Sequence, residues 1–136
     1  MRRHALCLFT IAALFNFAVG LSWILAWSMV QNMLLLAPSS GSNRLITLIA
    51  AVLILTFGYA YWRAGRAPEQ FRAYIHLGVV GKLLVVAAAL PTLFAATEGY
   101  LLAWLAMGDL CFAMLFVHFL KRYPAEPGTL AGGSSP

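Results

Sequence analysis

Apolar residues run through this chain in four long stretches, broken by short segments where proline, glycine, serine and charge collect. Within a stretch the apolar positions occupy every face of a helix rather than one stripe, the pattern of a helix surrounded by hydrocarbon. The first span is expected from Ala5 to about Val30, with apolar character continuing through Leu34-Leu35-Leu36 until Pro38 stops it. That excess either tilts the helix or lies along the outer interface as an amphipathic extension. Residues 38–43, Pro-Ser-Ser-Gly-Ser-Asn, form a turn. Leu45 to Trp62 is the second span, ending in an aromatic belt of Tyr59, Tyr61 and Trp62. A basic loop, 63–72, leads to the third span, Ala73 to Ala96, which carries Pro91. Thr97-Glu98-Gly99 turns the chain into the fourth span, Tyr100 to Leu120. The predicted fold is all-α: an antiparallel bundle of four transmembrane helices forming one membrane domain over 1–122. The segment 123–136, rich in Pro, Gly and Ser, is expected to be a disordered cytoplasmic tail.

The N-terminus admits a second reading, because Arg2-Arg3, an apolar run and Ala18-Val19-Gly20 resemble a secretory signal with a small-residue cleavage site. Against it, the apolar run continues past Gly20 through Trp23, Ile24 and Leu25 and makes a full-length span. No internal repeat stands out.

Composition agrees with the pattern. Hydrophobic residues make up 62% of the 136 and charged residues 10%, with a mean hydropathy of +0.86; ordinary soluble domains carry about 25% charge. Four spans leave no room for a substantial soluble catalytic domain. The net charge of +5 would suggest nucleic acid in a soluble chain, but the basic residues sit where they orient a membrane protein. Arg2, Arg3, Arg63, Arg66, Arg72, Lys121 and Arg122 fall at the termini and in the central loop, whereas the first connection has Arg44 and the third only Glu98. The positive-inside rule then puts both termini and the central loop in the cytoplasm. The basic charge is topogenic, with a weaker attraction to anionic lipid headgroups, and no nucleic-acid partner is expected.

Two ionisable residues lie inside spans, Lys82 in the third and Asp109 in the fourth. Each costs about 2.5–3.5 kcal/mol at the bilayer centre on insertion scales, so neither is expected to face lipid. Counting about 1.5 Å per residue from the span ends puts both roughly 14–17 Å deep, on antiparallel neighbours joined by a short turn. Asn16 in the first span falls at the same depth, so Asn16, Lys82 and Asp109 are expected to form one buried cluster. That cluster either holds the bundle together or marks an ion, proton or polar-solute path. Gly20, Gly78, Gly81 and Gly108 are expected to permit close helix packing beside it.

His4, His76 and His118 share one level near the cytoplasmic ends of three spans. Paired histidines across a bundle can ligate haem, and three can hold a transition metal; interfacial histidines are more often simply wet. At about 100° per residue His118 is turned roughly 180° from Asp109 and His76 roughly 120° from Lys82, so the two sets do not share one inward face. Cys7 and Cys111 differ by about 9 Å in depth, too far to pair, and are expected to pack as small apolar residues. Trp23, Trp27, Trp62 and Trp104 read as interface anchors. Metal, phosphate-loop and catalytic-triad motifs are absent, so a non-enzymatic role is expected, with no resident cofactor.

The combination Leu14-Phe15-Asn16 with Gly20, Gly58-Tyr59, Ala67-Pro68 in a basic loop, Gly78-Val79-Val80-Gly81-Lys82 and Gly108-Asp109-Leu110 resembles uncharacterised small four-helix bacterial integral membrane proteins. The resemblance covers most of residues 10 to 120, implies the four-helix fold and points again to Asn16, Lys82 and Asp109; the expected location is the bacterial inner membrane. In size the chain is similar to small multidrug transporters, which use a glutamate in the first span where this chain has Asn16. It is also similar in size to trimeric glutathione-metabolism membrane proteins, whose Arg-rich motifs it lacks. Two functions stay open: a transport-related or accessory subunit of a homo-oligomer or larger membrane complex, working through the Lys-Asp-Asn cluster, or a haem- or quinone-associated electron-transfer anchor using His76 and His118.

Overall fold

A computed structural model describes residues 1–95 and 98–124. Among these residues the chain forms α1 (Arg2–Leu25), α2 (Trp27–Met33), α3 (Gly41–Arg66), α4 (Arg72–Ala95) and α5 (Tyr100–Arg122), and no strand. All but α2 are long and apolar enough to cross a membrane, and the chain is a small multi-pass membrane protein. Even α5, with 23 residues, extends ~34 Å against a hydrocarbon thickness of about 30 Å.

The long helices form two antiparallel hairpins, α1 along α3 and α4 along α5, and the hairpins meet less extensively through α3–α4 and α1–α5. Each helix buries a narrow stripe at helical spacing; on α1 it is Ala5, Leu8, Phe9, Ala12, Ala13, Asn16 and Gly20. Small residues set the approach of α1 to α3. A Cβ at Gly20 would fall 2.7 Å from Leu55 Cγ, and one at Gly58 would fall 2.8 Å from the Phe17 ring, so both positions require glycine for this separation.

What joins the hairpins is aromatic. Phe9, Tyr61, Ile75, Phe116 and Phe119 are the largest fully buried side chains, with ring centroids of Phe9 and Tyr61 at 4.8 and 5.1 Å from Phe116. This core occupies the half of the bundle that holds the start of α1 and the end of α5, here called the terminal half. Tyr61, expected in an interfacial belt, is instead 1% exposed. Its ring fills the hollow over Gly78, where a Cβ would come within 2.6 Å.

The first apolar stretch is not one helix to Val30. It breaks at Ala26 (φ −130°, ψ 37°), although no proline or glycine stands there. The break frees carbonyls in the last turn of α1, and Arg44 from the first turn of α3 takes them: its guanidinium donates to the Trp23 and Ile24 carbonyls at 3.1 and 3.5 Å and lies 5.0 Å over the Trp27 ring. The short α2 then ends before Pro38 is reached. The Leu36 N–H donates to the Gln31 carbonyl and the Leu35 N–H to the Asn32 carbonyl. With Leu35 at φ 51°, this is a Schellman turn built on leucine where glycine is usual.

The terminal end has a matching device. Arg72, the first residue of α4, donates to the Leu120 carbonyl at 3.1 Å and the Tyr123 carbonyl at 2.6 Å, closing the exposed C-terminal carbonyls of α5. Ala96 and Thr97 and the tail from Ala125 to Pro136 lie outside the described residues.

Candidate functional site

On α5, Asp109 begins a stripe continued by Phe112, Phe116 and Phe119, spaced to share one helix face. On α4, Lys82 belongs to the buried stripe of Ile75, Gly78 and Val86. The two stripes meet, and the Lys82 Nζ donates to Asp109 Oδ1. The Lys82 side chain is 5% exposed and that of Asp109 17%.

Two aromatic faces complete the surroundings of the ammonium. Nζ lies 5.3 Å from the centroid of Tyr61 on α3 and 5.0 Å from that of Phe112 on α5. Both contacts are cation–π interactions, each worth more once water is excluded. Phe112 leans in turn on Phe15 of α1, at 5.6 Å. A single buried charge thus touches a carboxylate and two ring faces from both hairpins. The pair adjoins the shared core through Tyr61 and Phe112.

Asn16 takes a different part from the one expected. Its Nδ2 donates to the Ile54 carbonyl at 3.2 Å, tying α1 to α3, while Lys82 and Asp109 tie α4 to α5. The three polar residues expected in one cluster act as two separate ties, one in each hairpin. The glycines divide similarly. A Cβ on Gly81 would sit 3.2 Å from the Phe57 ring, whereas one on Gly108 would meet nothing within 4 Å. Gly108, expected at a helix contact, has open space beside it instead.

One helical turn from the pair, towards the α4–α5 turn, lies an open groove of about 310 Å³. Val85, Ala88 and Ala89 of α4 line it with Ala103 and Ala106 of α5. The surface is hollow there because alanine replaces the longer side chains found elsewhere along these helices, and apart from Thr92 its lining side chains are apolar.

The histidines lie apart from this site. His4 sets its ring edge-on to Phe119 and Tyr123, at 5.6 and 5.9 Å, and His76 and His118 are exposed on α4 and α5. Among the described residues no three His, Cys, Asp or Glu side chains come together as a metal ion would need. Cys7 and Cys111 are free and face outward rather than packing inside.

Sequence reasoning gave Tyr61 to an interfacial belt and Arg44 and Arg72 to topology, and passed over Phe112. The spacing of Phe112, Phe116 and Phe119 on the face of Asp109 is a signal present in the chain; the partners of the two arginines are backbone carbonyls, which no residue pattern marks. No family model, no curated protein and no solved structure matches the chain.

Proposed function

We propose that this chain is a transport-related or accessory subunit in the bacterial inner membrane, working in a homo-oligomer or larger membrane complex, with the Lys82–Asp109 pair as its working element. The termini are assigned to the cytoplasm. The distribution of basic residues supports that orientation: Arg2, Arg3, Arg63, Arg66, Lys121 and Arg122 gather at the terminal end. Membership in a larger assembly follows from size, since two hairpins in mutual contact leave little room for a pathway of their own.

The observation that carries the reading is the pair itself. Tying two membrane helices needs no charge; the Asn16 amide does so for α1 and α3 through one hydrogen bond. A lysine and an aspartate at the same task carry a large desolvation cost, and ionisable residues kept inside a span ordinarily serve ions, protons or polar solutes.

Substitution separates a working pair from a mere tie. Lys82→Met alone leaves a buried carboxylate without its partner and is expected to cost about 3–5 kcal/mol. Lys82→Met with Asp109→Leu is expected to recover folding and to lose the cellular phenotype scored in a deletion strain. A double variant that folds and restores every phenotype reduces the pair to a structural tie. One as unstable as the single variant refutes the pairing as the source of the cost.

A further inference from the structure

A second groove lies between α4 and α5 in the terminal half, open along its side and about 310 Å³ in volume. Leu83 of α4 lines it with Ala113, Met114, Val117, His118 and Lys121 of α5. The α5 residues fall at spacings of three and four on one helix face, and their character changes along it. Ala113, Met114 and Val117 are apolar, whereas His118 and Lys121, both exposed near the helix end, supply N–H donors and a positive charge. From Ala113 to Lys121 the face extends ~12 Å, from inside the apolar span to the end where basic residues gather. The groove towards the α4–α5 turn has the same volume but no charged lining residue. Among the described residues the one ion pair is Lys82–Asp109, so Lys121 meets no carboxylate there.

We propose that this groove seats one anionic phospholipid from the leaflet at the terminal end. An acyl chain lies along Ala113, Met114 and Val117 against Leu83, and the phosphate accepts N–H from Lys121 and His118. Charge complementarity selects this occupant. A lysine at a helix end rests its stem on apolar surface while its ammonium stays at headgroup level, and an anionic leaflet attracts such cations. A zwitterionic lipid offers the same chains without the net charge. A second copy of this chain in the same orientation would instead bring Arg2, Arg3, Arg63, Arg66 and Arg122 to the level of Lys121, and like charges facing each other repel. The inference goes beyond the reading of the ion pair and stands apart from it, since neither Lys82 nor Asp109 lines this groove.

The test is native mass spectrometry of the purified full chain, delipidated in neutral detergent and offered an equimolar mixture of dioleoylphosphatidylglycerol and dioleoylphosphatidylcholine. Wild type is expected to retain one phosphatidylglycerol with at least about fivefold preference, and Lys121→Gln to lose about that factor, the effect of one cation at a membrane surface. Arg122→Gln removes the same charge one residue away, outside the groove, and is expected to leave the preference unchanged. Val117→Trp fills the groove and is expected to lower retention of both lipids. Glycerol phosphate, with a phosphate and no chains, should not displace the bound lipid. Thermal unfolding without lipid checks that each variant is folded; Lys121 and Arg122 are exposed, so their comparison decides the matter even where Val117→Trp does not fold.

Equal retention of the two lipids, equal effects of Lys121→Gln and Arg122→Gln, undiminished retention by folded Val117→Trp, or displacement by glycerol phosphate each overturns the proposal. A wild-type dimer that Val117→Trp dissociates at unchanged lipid retention gives the groove to a second copy and overturns it as well.

Discussion

Gly78 lies on the buried stripe of α4 and Gly108 outside that of α5, and a single methyl group would have opposite consequences at the two. At Gly78 it would enter the Tyr61 ring, whose face also holds the Lys82 ammonium. At Gly108 it would enter open space. Gly78→Val is expected to destabilise by about 1–3 kcal/mol through overpacking, and Gly108→Ala to be neutral or to stabilise by up to about 1 kcal/mol, as alanine does in helix interiors. Thermal unfolding in detergent compares them, and equal effects would refute this account of Tyr61. The residue level also shows where reading the chain succeeds and fails. Lys82 and Asp109 were legible as a pair because charge inside an apolar run has few places to go. Asn16 was not placed correctly, because a neutral amide is satisfied by any carbonyl and its depth alone does not choose among partners. Tyr61 was assigned to the interface because tyrosine near a span end usually belongs there; the hollow over Gly78 overrides that preference.

Among the elements, α3, α4 and α5 begin and end within a few residues of the stretches that hydropathy marks, since length and apolarity decide them. The break at Ala26 was illegible. Nothing local interrupts the helix; the alternative partner for its carbonyls is an arginine about twenty residues on, brought there by the α1–α3 hairpin. Arg72 closes α5 from still farther along the chain. Both are forked donors satisfying two acceptors at once, a geometry lysine does not reproduce. Arg72→Lys is therefore expected to lose about 1–3 kcal/mol and to speed amide exchange in the last turn of α5 while leaving α4 protected. Uniform acceleration along both helices would mean that Arg72 serves packing rather than the helix end.

For the molecule as a whole, the assignment of the termini to the cytoplasm is open to direct measurement. With Cys7 and Cys111 replaced by alanine, a cysteine at exposed Ser40 in the α2–α3 connection should react with an impermeant maleimide added to intact cells, and one at exposed Gln70 only after lysis. The opposite labelling pattern would invert the orientation.

The placement of the aromatic core has a mechanical consequence. Phe9, Tyr61, Phe116 and Phe119 clasp the hairpins most closely in the terminal half, while Phe15 against Phe112 and Leu36 beside Gly99 keep lighter contacts farther along. Asp109 lies ~10 Å along α5 from Phe116, and Tyr100 at the far end lies ~24 Å from it. Because Lys82 and Asp109 belong to one hairpin, loss of their contact would loosen α4 from α5 along that length while the clasp between the hairpins, built from Phe9 and Tyr61 on Phe116, stays closed.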